Sequence, residues 1–308
     1  MASIVVENLT KKYGDQKAVD EISFDVKPGE VVGFLGPNGA GKSTTMRMIT
    51  CYMAPTDGNI TVEGFRAGEQ PEEIKKKIGY LPENNPLYTD MAIIDYLKFC
   101  ADIQGVPKEE VNSRVHEMVD VCGLNLERHK KINELSKGFR QRVGLAQAMI
   151  HDPEVLILDE PTSGLDPNQI VEIRNLIKEL GKEKTVILSS HILSEVEATC
   201  DRILIINRGK IVADGTSDTL RQQAQGQELV SVNIEGDKAK VKKALTGLAS
   251  VEKVNEEEFR TGFYLVQSKP EMSSRKDIFD LCVKNKWYLL EMTGIETKLE
   301  DVFREVTN

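Results

Sequence analysis

Hydrophobic and polar residues alternate at the start of the chain and then give way to short, continuous apolar runs. Ile4–Leu9 and Ile22–Val26 alternate, which predicts a small antiparallel β-sheet. Val31–Leu35, Val155–Leu158 and Val186–Leu188 are almost entirely apolar, which is typical of strands buried on both faces. Helical patterns adjoin these runs. Alternation of strand and helix predicts an α/β fold, with a mostly parallel sheet covered by helices.

The middle of the chain departs from this pattern. Between Met91 and Met149 the apolar residues recur at helical spacing and the strand signal disappears. We therefore expect an inserted helical arm over about residues 84–150, within a first domain that spans residues 1–220.

The C-terminal part has a pattern of its own. The polar stretch Thr216–Gln227 predicts a helix end and a linker, with a domain boundary near residue 226. Strand and helix patterns beyond it predict a small α+β domain over residues 227–308, in the order β-α-β-β-α-β. The large apolar residues available for its core are Leu229, Val232, Ile234, Phe263, Leu265, Phe279, Trp287 and Leu289.

Composition narrows the class of protein. The 308 residues are 40% hydrophobic and 29% charged, which excludes bulk disorder, and the net charge of −9 argues against a chain that coats nucleic acid. No apolar run reaches the ~18 residues that span a bilayer, and the start lacks a signal-peptide pattern, so we expect a cytoplasmic chain. Five scattered cysteines and four dispersed histidines favour reduced thiols and argue against a histidine metal site.

The strongest local signal is a glycine-rich segment between a buried strand and a helix. Gly36-Pro37-Asn38-Gly39-Ala40-Gly41-Lys42-Ser43 matches the pattern G-x-x-x-x-G-K-[ST] of a phosphate-binding loop. Such a loop points backbone N–H groups at phosphates, its lysine reaches the β- and γ-phosphates, and its hydroxyl is a ligand for Mg²⁺. A chance glycine-rich turn is the alternative, and the flanking strand and helix argue against it. The pattern predicts a nucleoside triphosphate site.

Two adjacent carboxylates end a later buried strand. Asp159 and Glu160 follow Val155–Leu158, and ligands of an open α/β sheet lie at the carboxyl ends of its strands. Asp159 is therefore expected to face Mg²⁺, and Glu160 the water that attacks the γ-phosphate. A solvated acidic strand end is the alternative, but the upstream loop favours the catalytic interpretation.

A third segment places a serine at a helix start. Ser136 and Gly138 precede an apolar-periodic helix, so the Ser136 hydroxyl and free backbone N–H groups form an anion-binding end. An N-cap with basic surface neighbours explains the same residues, and the segment alone leaves both interpretations open.

These three blocks, in this order, resemble the ATP-binding subunits of ABC transporters over residues 1 to about 220. Ser163–Asp166 after the carboxylates and His191 after the next strand belong to the same resemblance. It implies the fold of a P-loop NTPase, the ABC ATPase domain, with ATP and Mg²⁺ as cofactors. The implied nucleotide-binding residues are Tyr13, Gly36, Asn38, Gly39, Ala40, Gly41, Lys42, Ser43, Thr44, Ser136, Gly138 and Asp166. The implied catalytic residues are Glu160, His191, Lys42 and Glu83, and the implied metal ligands are Ser43, Asp159 and Glu83.

Two departures from the family pattern identify a branch. The usual signature L-S-G-G-Q reads Leu135-Ser136-Lys137-Gly138-Phe139 here, and Glu83 stands where the family has a glutamine. With the C-terminal extension, both departures are similar to ABC-2 type exporters. The amino-acid sequence of these segments most closely resembles that of ATP-binding proteins for gliding motility and for drug and sodium export.

The resemblance implies an ATP-hydrolysing subunit of a membrane exporter. Two copies would pair head to tail, on the inner face of the cell membrane, and move permease subunits from separate genes; no nucleic acid partner is expected. Pro86–Met91 is a candidate docking edge for a permease, or an ordinary loop packed on its own arm. Two rival functions are a soluble ATPase that acts on ribosomes or DNA and a non-hydrolysing, ATP-gated regulatory module.

Overall fold

The structure is a computed structural model that describes residues 2–224, 228–256, 262–269, 272–295 and 299–307. The chain divides into two compact units, Met1–Ser217 with Val306–Asn308, and Asp218–Glu305. The predicted linker end and boundary at residues 225–227 lie outside the described residues. None of the helices in the described ranges combines the length and the apolar content needed to cross a bilayer.

The strands are bounded as follows, in chain order: β1 (Ile4–Tyr13), β2 (Gln16–Val26), β3 (Val31–Leu35), β4 (Asp57–Val62), β5 (Phe65–Arg66), β6 (Ile78–Leu81), β7 (Val155–Asp159), β8 (Thr185–Ser190), β9 (Arg202–Asn207), β10 (Lys210–Gly215), β11 (Leu229–Glu235), β12 (Val251–Glu256), β13 (Phe263–Ser268) and β14 (Tyr288–Ile295). The α-helices are α1 (Lys42–Ile49), α2 (Pro71–Lys77), α3 (Ile93–Ile103), α4 (Val111–Val121), α5 (Lys137–Met149), α6 (Pro167–Gly181), α7 (Leu193–Thr199), α8 (Ser217–Ala224), α9 (Lys238–Thr246), α10 (Arg275–Asn285) and α11 (Leu299–Thr307).

The first unit contains two sheets. A six-stranded sheet has the order β10-β9-β3-β8-β7-β6, and all its pairs are parallel except β9 with β10. A four-stranded antiparallel sheet has the order β2-β1-β4-β5. Every residue of β3, β7 and β8 is buried, as their continuous apolar runs predict. The α/β fold with an added antiparallel sheet is confirmed.

The region between β6 and β7 is helical, and it contains α3, α4, a short 3₁₀ helix (Ile132–Glu134) and α5. Helix α5 has Ser136 as its N-cap, and its second half is buried on nearly all sides, with Val143 and Leu145 on different faces. The parallel sheet places the carboxyl ends of β3, β7 and β8 side by side. The phosphate-binding loop, the carboxylates and the histidine all follow these strand ends.

From β11 to β14 the second unit has the order β-α-β-β-α-β, with an antiparallel sheet β12-β13-β11-β14, and α8 and α11 precede and follow this order along the chain. Its core contains Val232 and Ile234, as expected, and Trp287 and Leu289 pack partly buried against it. The remaining expectations for this core were wrong. Phe279 is 55% exposed, and Leu229, Phe263 and Leu265 are only half-buried. Tyr264 and Val266 are buried instead, because β13 turns the other set of its alternating side chains toward the helices.

Candidate functional site

The glycine-rich loop joins β3 to α1 in a tight turn. Gly41, the N-cap of α1, has a φ of 112°, a backbone region that favours glycine. A Cβ atom at Gly41 would lie 2.6 Å from the carbonyl oxygen of Ala18, and one at Gly36 would lie 2.3 Å from that of Ile206. The loop therefore needs glycine at both positions. The first N–H groups of α1 have no acceptor within the helix and face the space in front of the loop.

The Lys42 side chain is held in the loop. Its Nζ donates to the carbonyl oxygen of Gly36 at 2.8 Å and to that of Pro37 at 3.3 Å. It also lies 3.4 Å from Oε1 of Glu160, and both side chains are less than a tenth exposed. The buried ammonium is thus paired with a carboxylate at the place where phosphates would bring negative charge.

Asp159 presents one satisfied and one free oxygen. Oδ1 accepts hydrogen bonds from the hydroxyls of Ser43 at 3.1 Å and Ser189 at 2.6 Å. Oδ2 is buried and has no hydrogen-bond partner within the described residues. A buried carboxylate oxygen without a partner is costly unless a ligand satisfies it. An oxygen set of Ser43, Asp159 and nucleotide phosphates is what Mg²⁺ prefers, so the residues fit this ion.

Glu160 adopts a left-handed backbone conformation, with a φ of 49°. Such a conformation costs about 1 kcal/mol or more for a non-glycine residue, so surrounding contacts must hold it. The Glu160 N–H donates to the Ser189 hydroxyl at 3.0 Å, and its carbonyl oxygen accepts from the Ser163 N–H at 3.1 Å. The turn aims the carboxylate at His191, whose Nδ1 lies 2.9 Å from Oε2 of Glu160.

These residues surround one cavity of about 450 Å³. Its lining residues are Ala18, Asn38, Gly39, Gly41, Lys42, Ser43, Thr44, Glu83, Glu160, Ser163 and His191. Nine of the residues predicted from the sequence therefore meet in it. Gly36, Ala40 and Asp159 are not among the lining residues but lie buried in the loop and the strand end that support it. The cavity has a helix N-terminus, a cation and a carboxylate-imidazole pair on its walls, which suits binding and hydrolysis of a nucleoside triphosphate.

Besides these three supporting residues, four predicted residues do not line this cavity. Tyr13 is 51% exposed at the end of β1, and its hydroxyl lies 3.4 Å from Sδ of Met53. Ser136 is the N-cap of α5, where its hydroxyl accepts from the Phe139 N–H at 3.4 Å. Gly138 follows in the first turn of α5. Asp166 is the N-cap of α6 and accepts from the N–H groups of Asn168 and Gln169 at 3.1 and 3.0 Å. Their predicted roles remain predictions.

Sequence reasoning did not assign a role to Ser189. Its hydroxyl contacts both carboxylate residues, Asp159 through a side-chain hydrogen bond and Glu160 through the backbone. The sequence feature that could have indicated this role is the position of Ser189 at the end of β8. Strands β7 and β8 are parallel neighbours, and Asp159 pairs with Ser189. Ala18 and Ser163 also line the cavity and were not predicted to do so.

A second, larger cavity of about 680 Å³ lies between the sheet and the helical arm. Tyr52 and Ile103 line it, and they are 74% and 67% exposed. Tyr80 also contributes, and burial raises the pKa of its hydroxyl to about 12, so that it stays neutral. None of the predicted catalytic residues lines this groove.

Comparison with known proteins identifies the family. The sequence profile of the ABC transporter family matches residues 19–163. The bacitracin transport ATP-binding protein BcrA of Bacillus licheniformis is 41% identical over 226 residues, which are 72% of this chain and 73% of BcrA. The linearmycin resistance ATP-binding protein LnrL of Bacillus subtilis (strain 168) is 38% identical over 249 residues, 80% of each chain.

A solved structure agrees with these relatives. The dimeric post-hydrolysis state of an ATP-binding cassette bound to ADP and phosphate has a TM-score of 0.63 and 26% identity, covering 69% of this chain and 98% of that one. The phosphate-binding loop, the paired carboxylates and the histidine of the present chain thus occur on the fold of a known ATPase. The chain belongs to the family of ABC transporter ATP-binding subunits, and it is an ATPase.

Proposed function

We propose that this chain is the ATP-hydrolysing subunit of an ABC-2 type membrane exporter that drives transport through separate permease subunits. The observation that carries the nucleotide part is the convergence of Lys42, Glu160 and His191 on one cavity at a helix start. The relatives BcrA and LnrL, whose names refer to bacitracin transport and linearmycin resistance, support the export branch.

The predicted residues in and beside the cavity have distinct roles. The N–H groups of the loop from Gly36 to Thr44 bind phosphates, and Lys42 neutralises charge on the β- and γ-phosphates. Ser43, Asp159 and Glu83 hold Mg²⁺, which supplies positive charge against the phosphates when it is bound. Glu160 orients and deprotonates the attacking water, and His191 holds the Glu160 carboxylate in place. Tyr13 stacks on the adenine ring.

The remaining residues complete a site on a second copy. Ser136, Gly138 and Asp166 lie at the starts of two helices and do not line the cavity of their own chain. Free N–H groups at the start of α5 suit the phosphates of a partner's nucleotide. The similar cassette bound to ADP and phosphate is dimeric, which supports a homodimer.

An exposed apolar surface supports a membrane partner. Tyr88, in the predicted docking edge Pro86–Met91, is 61% exposed and packs edge-on against Phe99 with ring centroids 5.4 Å apart. Ile103, one turn further along α3, and Tyr52 across the groove extend this surface. Exposed apolar residues along a groove are typical of protein interaction sites. We therefore place the permease contact here, which puts the subunit at the inner face of the cell membrane.

Replacement of Glu160 by glutamine tests the catalytic part. Glu160→Gln keeps the shape of the side chain but removes the base, so turnover falls by about 10²-fold while ATP binding persists. An ATP-bound dimer should accumulate, as measured by size-exclusion chromatography. Lys42→Ala is the matched control, because it should lose ATP binding as well. Turnover of Glu160→Gln close to wild type would show that the base is another group.

Purification from membranes tests the partner. An integral membrane protein with about six apolar segments of ~20 residues should co-purify with the tagged chain. Ile103→Glu places a charge on the proposed contact and should lose this partner while ATP turnover is retained. Ribosomal proteins or DNA in place of the integral protein would overturn the export proposal in favour of the soluble ATPase.

A further inference from the structure

Glu195 is a buried carboxylate that lies outside the cavity. It belongs to α7 and is 6% exposed. Its Oε2 accepts hydrogen bonds from the hydroxyls of Thr162 at 2.6 Å and Ser190 at 3.1 Å. Among the described residues it has no ion-pair partner, so these hydroxyls are the groups that stabilise its charge.

The direction of these hydrogen bonds follows from their geometry. The Ser190 hydroxyl oxygen accepts from the Ile192 N–H at 3.0 Å, which leaves its own hydrogen for Glu195. The Thr162 hydroxyl likewise donates to Oε2 of Glu195. Replacement of either hydroxyl therefore removes a donor that the carboxylate needs.

The two hydroxyls belong to the segments that carry the reacting groups. Thr162 is two residues after Glu160 and directly precedes Ser163, which lines the cavity. Ser190 directly precedes His191, whose imidazole lies 2.9 Å from Glu160. Glu195 therefore connects the segment after β7 to the end of β8.

Burial of a carboxylate without a cation is unfavourable in free energy, and apolar residues of the same size would pack here with a smaller free-energy penalty. What the carboxylate adds is a fixed distance between two segments. The reaction needs such a distance, because small displacements of catalytic groups reduce rates strongly.

We propose that Glu195 is a positioning residue for ATP hydrolysis. By accepting hydrogen bonds from Thr162 and Ser190, it holds Glu160 and His191 at a fixed distance from each other. It touches neither the nucleotide nor the attacking water. The inference rests on the roles proposed for Glu160 and His191.

The test compares hydroxyl-deleting variants with one that keeps the hydroxyl. Thr162→Val has nearly the same shape but no donor, and it should lower kcat by about tenfold or more while KM stays within about twofold. Ser190→Ala removes the other donor and should likewise lower kcat while KM stays nearly unchanged. Thr162→Ser retains a donor and should restore kcat to within about threefold of wild type.

Thr199→Val is the matched control. Thr199 lies on the same helix, is equally buried, and donates to the backbone carbonyl oxygen of Glu195 at 2.7 Å. Its replacement removes a buried hydroxyl without touching the carboxylate, so kcat should remain within about twofold of wild type. Thermal unfolding of all variants separates loss of stability from loss of turnover.

The result that would overturn the inference is an unchanged kcat in both Thr162→Val and Ser190→Ala, or a loss that Thr162→Ser or Thr199→Val shares fully. Glu160→Gln and His191→Ala are assayed beside them. If these two keep wild-type turnover, the proposed roles of Glu160 and His191 fail. If these two lose turnover and the hydroxyl variants do not, only the role of Glu195 is overturned.

Discussion

The hydroxyl of Ser189 governs how the two adjacent carboxylates are presented to the cavity. It donates to Oδ1 of Asp159 and accepts from the N–H of Glu160, whose backbone is left-handed. One oxygen thereby fixes the Asp159 carboxylate and stabilises the strained turn. The free Oδ2 of Asp159 keeps its direction because Oδ1 is bound on two sides.

Ser189→Ala should therefore reduce turnover although Ser189 does not line the cavity. A hydrogen bond to a charged group contributes about 1.5–3 kcal/mol, and loss of about half of that in the transition state lowers kcat by about 4- to 13-fold. Steady-state phosphate release, titrated with Mg²⁺, measures it, and half-saturation should need more Mg²⁺. Ser189→Thr keeps the hydroxyl and is the control. Wild-type kcat and Mg²⁺ dependence in Ser189→Ala would contradict this account.

Residues whose role depends on spacing were predictable, and residues whose role depends on side-chain direction were not. The loop from Gly36 to Ser43 has a fixed spacing that only a phosphate-binding turn requires. Ser189 and Ser190 are adjacent and chemically identical, yet one faces Asp159 and the other Glu195. A strand alternates its faces, so the choice depends on which neighbours each face meets.

At the scale of elements, the side chain of Asn85 connects the segment that follows Glu83 to helix α5. Asn85, two residues after Glu83, donates from Nδ2 to the carbonyl oxygen of Arg140 at 2.9 Å. Its amide lies against Gly144 of α5, where a Cβ atom would come within 2.3 Å of Oδ1. Helix α5 begins at Ser136. Displacement of Glu83 by a nucleotide would thus be carried through Asn85 to the helix that presents Ser136.

The contact between Asn85 and Gly144 predicts that Gly144→Ala changes the free energy of unfolding in opposite directions when Asn85 is present and when it is replaced. Within a helix, glycine to alanine normally stabilises by about 0.5–1 kcal/mol. Gly144→Ala should instead destabilise by about 1–3 kcal/mol, because the new methyl group clashes with Asn85. In an Asn85→Ala background the clash is absent, so Gly144→Ala should stabilise. Urea unfolding of the four proteins measures this; the same sign in both backgrounds would mean that Asn85 is not the obstacle.

Element types were predictable where the pattern was strong, and the choice of face was not. The apolar runs of β3, β7 and β8 were predicted correctly, because a strand buried on both faces favours a nearly continuous series of apolar residues. In β13, by contrast, Phe263, Tyr264, Leu265 and Val266 are all bulky, so alternation does not distinguish the faces. The strand β6 carries only four residues between α2 and the Glu83 segment, too few for a periodic signal.

At the scale of the whole molecule, chemistry and accessory structure are separate. All cavity residues lie between Ala18 and His191. The second unit has its own core, with buried residues from Val230 to Cys282 that are distinct from those of the main core. Large apolar side chains contribute ~1.5–3 kcal/mol each on burial, before entropy is subtracted, so each unit has the means to fold by itself. We propose that the second unit stabilises the dimer or a partner contact.

Removal of the second unit tests this division. A chain that ends after residue 225 keeps every cavity residue, and its ATP affinity should stay within about threefold of wild type. Dimerisation, or transport by the assembled exporter, should weaken. Isothermal titration with ATP and sedimentation measure the two effects.

The last residues of the chain require a separate control, because Val306–Asn308 group with the first unit. A chain that ends after residue 298 lacks them and α11 but keeps the sheet of the second unit. If it matches wild type in both assays, the effects of the longer truncation belong to the β-α-β-β-α-β unit. If the chain ending after residue 225 is folded but has lost ATP binding while the longer chain retains it, the second unit contributes to the nucleotide site and the proposed division of labour is wrong.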